Sequence, residues 1–85
     1  MVDIEFASQP RKFLKKCDKT TQQRIVNKIE DLRNNPFPRD SRKVEGREEK
    51  TYRVRVGDYR ILYSLYIEKN LLFISIIDKR SKAYD

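Results

Sequence analysis

The sequence holds no histidine and one cysteine, Cys17, among its 85 residues. Together these absences exclude much chemistry. A lone thiol without imidazole cannot hold zinc, so no metal site and no cofactor is expected. An intramolecular disulfide is equally impossible. Cys17 lies on an apolar helical stripe and reads as a small buried hydrophobe. Long apolar runs are missing too. Leu71 to Ile77 is apolar but falls far short of the roughly 20 residues that cross a bilayer, so no membrane partner is expected. No secretory leader is recognisable at the N-terminus; that and the single thiol fit a cytoplasmic protein. A chain of this length is expected to be one domain spanning residues 1–85. It should bury only about 60–65% of its unfolded surface. That leaves room for one sheet and one or two helices, not for a second domain or a large enclosed cofactor.

What is present in excess is positive charge. Lysine and arginine number 20 against 13 acidic residues, a net charge of +7, and the isoelectric point is near 9.7. The imbalance favours polyanions: RNA, DNA, anionic lipid or an acidic protein. By itself it does not choose among them, and a solvated surface without a partner is the competing reading.

Apolar periodicity divides the chain. Val2, Ile4 and Phe6 alternate with Asp3 and Glu5, the pattern of a half-buried strand. Ser8 can cap a helix whose first turn accommodates Pro10 and whose apolar face is Phe13, Leu14 and Cys17. Asp18, Thr20 and Thr21 are cap candidates for a second helix, with Ile25, Val26, Ile29 and Leu32 as its apolar face. Asn34–Asn35–Pro36 stops it. Residues 35–50 read as an exposed loop without regular structure, anchored only by Phe37 and Val44. From Thr51 to Asp78 three runs separated by Gly57–Asp58 and Glu68–Lys69–Asn70 predict an antiparallel meander. The last two runs are apolar on both faces, which predicts central strands covered by the helices on one side and partly covered on the other. The expected fold class is α+β: an N-terminal strand, a two-helix hairpin, then the meander, with the helices on one face of the sheet.

Strand register turns this outline into a candidate site. A two-residue turn at Gly57–Asp58 pairs Val56 with Tyr59, Arg55 with Arg60, and Val54 with Ile61. Arg53, Arg55 and Arg60 then share one face, while Tyr52, Val54 and Ile61 take the other. Directly opposed like charges destabilise a sheet by up to about 1 kcal/mol, so the arrangement is not one that stability favours. It suits a phosphate, which guanidinium binds through planar paired hydrogen bonds at any physiological pH. Solvent-facing arginines assembled by chance are the alternative. If Glu68–Lys69–Asn70 forms a three-residue loop with a left-handed Asn70, Ile67 faces Leu71, Arg60 faces Asp78, and Arg80 joins the arginine face. A two- or four-residue loop would bring Lys79 there instead.

These residues resemble a known family. Tyr52-Arg53-Val54-Arg55-Val56-Gly57-Asp58-Tyr59-Arg60-Ile61-Leu62-Tyr63 is similar to the core motif of the RelE/ParE toxin superfamily. Lys43-Val44-Glu45-Gly46 resembles the step that precedes that motif, and Asp78-Lys79-Arg80 with Tyr84 resembles its close. The resemblance spans essentially the whole chain and looks most like an archaeal or bacterial RelE. It implies the RelE-like fold and a metal-independent endoribonuclease that cuts messenger RNA in the ribosomal A site, in contact with ribosomal RNA. A cognate RelB-type antitoxin would neutralise it. It also implies catalytic roles for Arg53, Arg55, Arg60, Arg80 and Tyr84. Lys79 and Lys50 are further candidates for substrate binding or proton transfer. Well-known members carry lysine where this chain has Arg53 and Arg55. Arginine, with a pKa above about 12, is a poor general base. A ParE-like inhibitor of gyrase and a non-catalytic or inactivated RNA-binding toxin are the alternatives.

Overall fold

The computed structural model describes residues 2–44, 46 and 50–79. Strand β1 (Asp3–Phe6) leads into helices α1 (Ser8–Lys16) and α2 (Lys19–Asn34). A short strand β2 (Arg42–Lys43) follows, then β3 (Thr51–Val56), β4 (Tyr59–Tyr66) and β5 (Leu71–Lys79). The strands form one five-stranded sheet in the order β1-β5-β4-β3-β2. The meander is antiparallel, as expected, and β1 lies parallel to β5 at its outer edge.

The core forms where the apolar faces meet. Ile25, Ile29 and Leu32 of α2 pack on Val54, Ile61, Tyr63, Leu72, Ile74 and Ile77 of the sheet. Burying one such aliphatic side chain stabilises by roughly 1.5–3 kcal/mol. This helix face holds the chain together and leaves the opposite face of β3, β4 and β5 for other work. On that opposite face Leu62 is nonetheless buried, and Leu71, Phe73 and Ile76 are half-buried, in line with the two-sided apolar pattern of the last two strands.

Helix boundaries follow local chemistry. Asp18 caps α2 by accepting a 3.1 Å hydrogen bond from the Thr21 amide. Hydrogen bonding from the Thr21 side chain, and then from its amide, favours the charged carboxylate and lowers its pKa. At the other end Asn35 is extended, as the residue before Pro36 must be. The expectation that Ser8 caps α1 is corrected. Ala7 is the cap residue and Ser8 the first helical one. The strand ladder runs one residue further than the alternation implied, with the Ala7 amide donating to the Ile74 carbonyl at 2.9 Å. Cys17 is not fully buried; it ends α1 half-exposed, its thiol directed at the Leu14 carbonyl.

The segment expected to lack regular structure contains β2. Arg42 pairs with Arg53 and Lys43 with Tyr52, and the Val44 amide donates to the Thr51 carbonyl at 2.7 Å. Phe37 anchors the approach to β2 by packing edge-on against Tyr52, with ring centroids 4.9 Å apart. The Tyr63 hydroxyl donates to the Pro36 carbonyl at 2.6 Å. Burial raises the Tyr63 pKa to about 12. No helix among the described residues is long and apolar enough to cross a membrane.

Candidate phosphate-binding face

The β3–β4 turn has the geometry that its sequence demands. Gly57 adopts φ +57°, while Asp58 keeps negative φ, so only the first turn position is left-handed. The register is the expected one: Val56 opposite Tyr59, Arg55 opposite Arg60, Val54 opposite Ile61. Alternation then puts Arg53, Arg55 and Arg60 together on the face away from the helices.

The second hairpin reaches its expected pairing by an unexpected route. The loop is four residues long: a 3-10 turn over Ile67–Lys69, then Asn70, left-handed at φ +51° as foreseen. Tyr66, not Ile67, faces Leu71. Uncorrected, this slip would carry Asp78 to the helix face. A bulge corrects it. Tyr63 pairs with Ile74 but Leu62 with Ile76, leaving Ser75 as the extra residue. The Ser75 hydroxyl donates to the Leu62 carbonyl at 3.1 Å, occupying a ladder acceptor at the irregularity. Beyond the bulge Arg60 faces Asp78.

One row across three strands therefore reads Arg55, Arg60, Asp78, and the next reads Arg42, Arg53, Leu62, Ile76. Asp78 grips Arg60 through two bonds, Nε to Oδ1 at 2.9 Å and Nη2 to Oδ2 at 3.1 Å. The pair is partly exposed and adds little stability, at most about 1 kcal/mol. Its effect is on direction. It turns the Nε edge of Arg60 toward β5, away from Arg55 on the other side. Arg53, Arg55 and Arg60 are each half-buried, and the Nε of Arg55 is itself buried.

Arg42 was not foreseen as part of this face. Its guanidinium donates to the Arg39 and Ser41 carbonyls at 2.8 and 2.9 Å. It sits opposite Arg53 only because a two-residue strand forms there, too short to leave a periodic signal. A second cation directly opposing an arginine in a stretch already rich in charge was the available hint.

The other named residues fall elsewhere. Lys79 pairs with Tyr59 and so lies on the helix face, beside α1. Lys50 is exposed near Tyr66 and Lys69, at the end of the hairpin remote from the Gly57–Asp58 turn. About five strand residues, or roughly 16 Å, separate it from Arg55. Arg80 and Tyr84 lie outside the described residues, as does Glu45 of the upstream step. Among the described residues no group of three side chains is disposed to hold a metal ion. Asp78 is the carboxylate that the described strands bring into the arginine rows.

Comparison with known proteins gives this geometry a context. Residues 4–84 match the family model described as the ParE toxin of the type II toxin-antitoxin system parDE. A candidate toxin of Methanocaldococcus jannaschii, RelE1, is 29% identical, covering 96% of this chain and 93% of that protein. A chain of the archaeal RelE–RelB complex from Pyrococcus horikoshii superposes with a TM-score of 0.82 at 28% identity, over 95% of this chain and 97% of that one. A chain of the RelBE2 toxin–antitoxin complex from Mycobacterium tuberculosis gives 0.77 at 27% identity, over 93% and 98%.

Proposed function

The chain belongs to the ParE toxin family of type II toxin–antitoxin systems, within the RelE/ParE superfamily, and from that premise we propose that it is a ribosome-dependent messenger RNA endoribonuclease acting in the cytoplasm. The observation that carries this reading is the opposition of Arg55 and Arg60, flanked by Arg53 and Arg42, on the sheet face that the core does not need. Such a face can hold a phosphodiester and the charge that builds on it.

The reaction uses the substrate's own 2′-oxygen. That oxygen attacks the adjacent phosphorus, the bond from phosphorus to the 5′-oxygen breaks, and a cyclic phosphate forms. One proton leaves the 2′-oxygen and one is delivered to the departing 5′-oxygen. In this scheme Arg53 and Arg55 position the phosphate, and Arg60 with Arg80 stabilises the developing charge. Preorganised cations do this efficiently because they need no reorganisation as charge appears. Proton transfer is the weak part of the machinery. No histidine exists in the chain, Lys50 is a strand's length away, and Lys79 faces α1. The remaining candidates are Asp78, Tyr84, which can also stack on a base, and groups of the ribosome. Positioning by the ribosome can supply several kcal/mol of the barrier reduction. Dependence on ribosomes follows from that division of labour.

The test compares programmed ribosomes with the same messenger alone. Cleavage is expected within the A-site codon on ribosomes and at least about 100-fold more slowly on naked RNA, given the missing acid–base pair. Equal rates on both substrates would contradict the proposal. A small acidic antitoxin encoded beside this gene should bind the toxin and restore growth.

A second reading takes the name of the matching family at its word. ParE-like toxins act on gyrase, and the match to the ParE model favours that option. Pulse labelling separates them. Protein synthesis stops first for a nuclease, DNA synthesis first for a gyrase inhibitor.

A further inference from the structure

Away from the arginine face, a cleft of about 660 Å³ opens between α1 and the end of the β4–β5 ladder. Lys12 and Lys16 line it from α1, one helical turn apart, and Lys79 lines it from β5. No carboxylate occurs in α1. None of these three ammonium groups makes an ion pair among the described residues. Like charges at this helical spacing cost a few tenths of a kcal/mol, and the place of Lys16 in the last turn of α1, where the helix dipole favours a cation, offsets that cost. Phe13 and Tyr59 form an aromatic wall, edge to face with centroids 5.6 Å apart.

We propose that this cleft is a second RNA-binding site, which takes the backbone of a single strand continuing from the arginine face around the hairpin tip. It rests on the RNA-directed reading above. Three features carry it. Tyr59 and Arg60 are chain neighbours projecting to opposite faces, so the cleft and the arginine rows meet at one turn. At that turn the Arg24 guanidinium lies so close to Gly57 that a Cβ there would come within 2.8 Å of it, adding a cation between the two sites. Ammonium groups beside half-buried rings match a strand whose phosphates and bases alternate, the usual composition of sequence-tolerant single-strand grooves. A different groove suits a protein better. It is lined by Ile4, Phe6, Leu14, Val26 and Ile29, and its charged lining is Asp3 with the Glu30–Arg33 ion pair.

Cys17 makes the test possible without mutation. It lines the cleft and is the one thiol in the chain. Its alkylation by N-ethylmaleimide should slow roughly fivefold or more when a 2′-O-methyl RNA of about 12 nucleotides saturates the protein, because access to the thiol is lost. That RNA lacks the nucleophile, so binding is read whether or not the chain is a nuclease. The Lys12→Ala/Lys16→Ala variant should bind the same RNA about 10- to 30-fold more weakly at 0.1 M salt, with the salt slope reduced by about 1.4. Lys69→Ala, at the far end of the sheet, should leave both unchanged. No protection of Cys17 at saturation would overturn the proposal, as would an equal loss in the Lys69 variant. Retained RNA affinity with loss of a Glu-rich amphipathic peptide would overturn it too, and would assign the cleft to a protein.

Discussion

In the β3–β4 hairpin two turn residues fix the pairing outright, and Val54, Arg55 and Val56 find their expected partners. In the β4–β5 hairpin a four-residue loop offsets the strands, and a bulge at Ser75 restores them. Both deliver charged side chains to the same row, Arg55 and Arg60 from the first and Asp78 from the second. The difference lies in tolerance. A tight turn leaves no slack, so its register depends on every residue in it. A bulged hairpin already contains a residue that its ladder does not use.

Deletions should expose that asymmetry most strongly. Removing Asp58 makes a two-residue turn impossible and slides one strand by one place, which turns either Arg53 and Arg55 or Arg60 toward the core. An unpaired buried charge costs about 4 kcal/mol or more. The variant should show no cooperative thermal transition by circular dichroism. A melt within a few degrees of the parent would mean that the first hairpin is as forgiving as the second.

Tyr63 sits where the second hairpin changes register, and pH probes how firmly it is held. In the unfolded chain it loses its proton near pH 10; in the fold it stays neutral to about pH 12. Its contribution is therefore intact below pH 10 and disappears as pH rises from 10 to 12, since only the unfolded chain ionises there. The loss should amount to about 2–3 kcal/mol. At neutral pH Tyr63→Phe should be less stable by about 1 kcal/mol, from the lost bond to Pro36. Urea titrations at stepped pH should show that gap closing and then reversing in alkali. Parallel curves would count against a buried, hydrogen-bonded phenol.

Removing Ser75 should have the smallest effect. The deletion converts the bulge to a regular ladder, keeps Ile74 and Ile77 inward, and preserves Arg60 opposite Asp78. The cost, about 1 kcal/mol, comes from the Ser75 hydroxyl and from strain on the Gln9 side chain, which bonds both the amide and the carbonyl of Ile77. An unfolded product would show that the bulge is needed for more than register.

The same contrast explains what the sequence made legible. Tyr52 to Ile61 alternate cleanly about a glycine turn, so the arginine face is legible in the sequence itself. Leu71 to Ile77 is apolar at nearly every position, so periodicity could not choose a face. The Arg60–Asp78 pairing was anticipated from a three-residue loop; a longer loop and a bulge cancel to give it. Polar Ser75 within that run was the one local sign of a bulge. The position of β1 beside β5 and the two-residue β2 rest on long-range pairing that no local pattern records, and with β2 went Arg42. Lys50 and Lys79 carry suitable chemistry, but register sends them elsewhere.

The central claim is that guanidinium groups gathered by register do the chemistry on RNA. Its most direct test is single-turnover cleavage of messenger on programmed ribosomes by Arg60→Ala. The rate should fall about 10²- to 10³-fold, as when a preorganised charge-stabilising donor is lost. The melting temperature should stay within a few degrees, because a partly exposed ion pair contributes at most about 1 kcal/mol. A stable variant that still cuts at the parental rate would contradict the account.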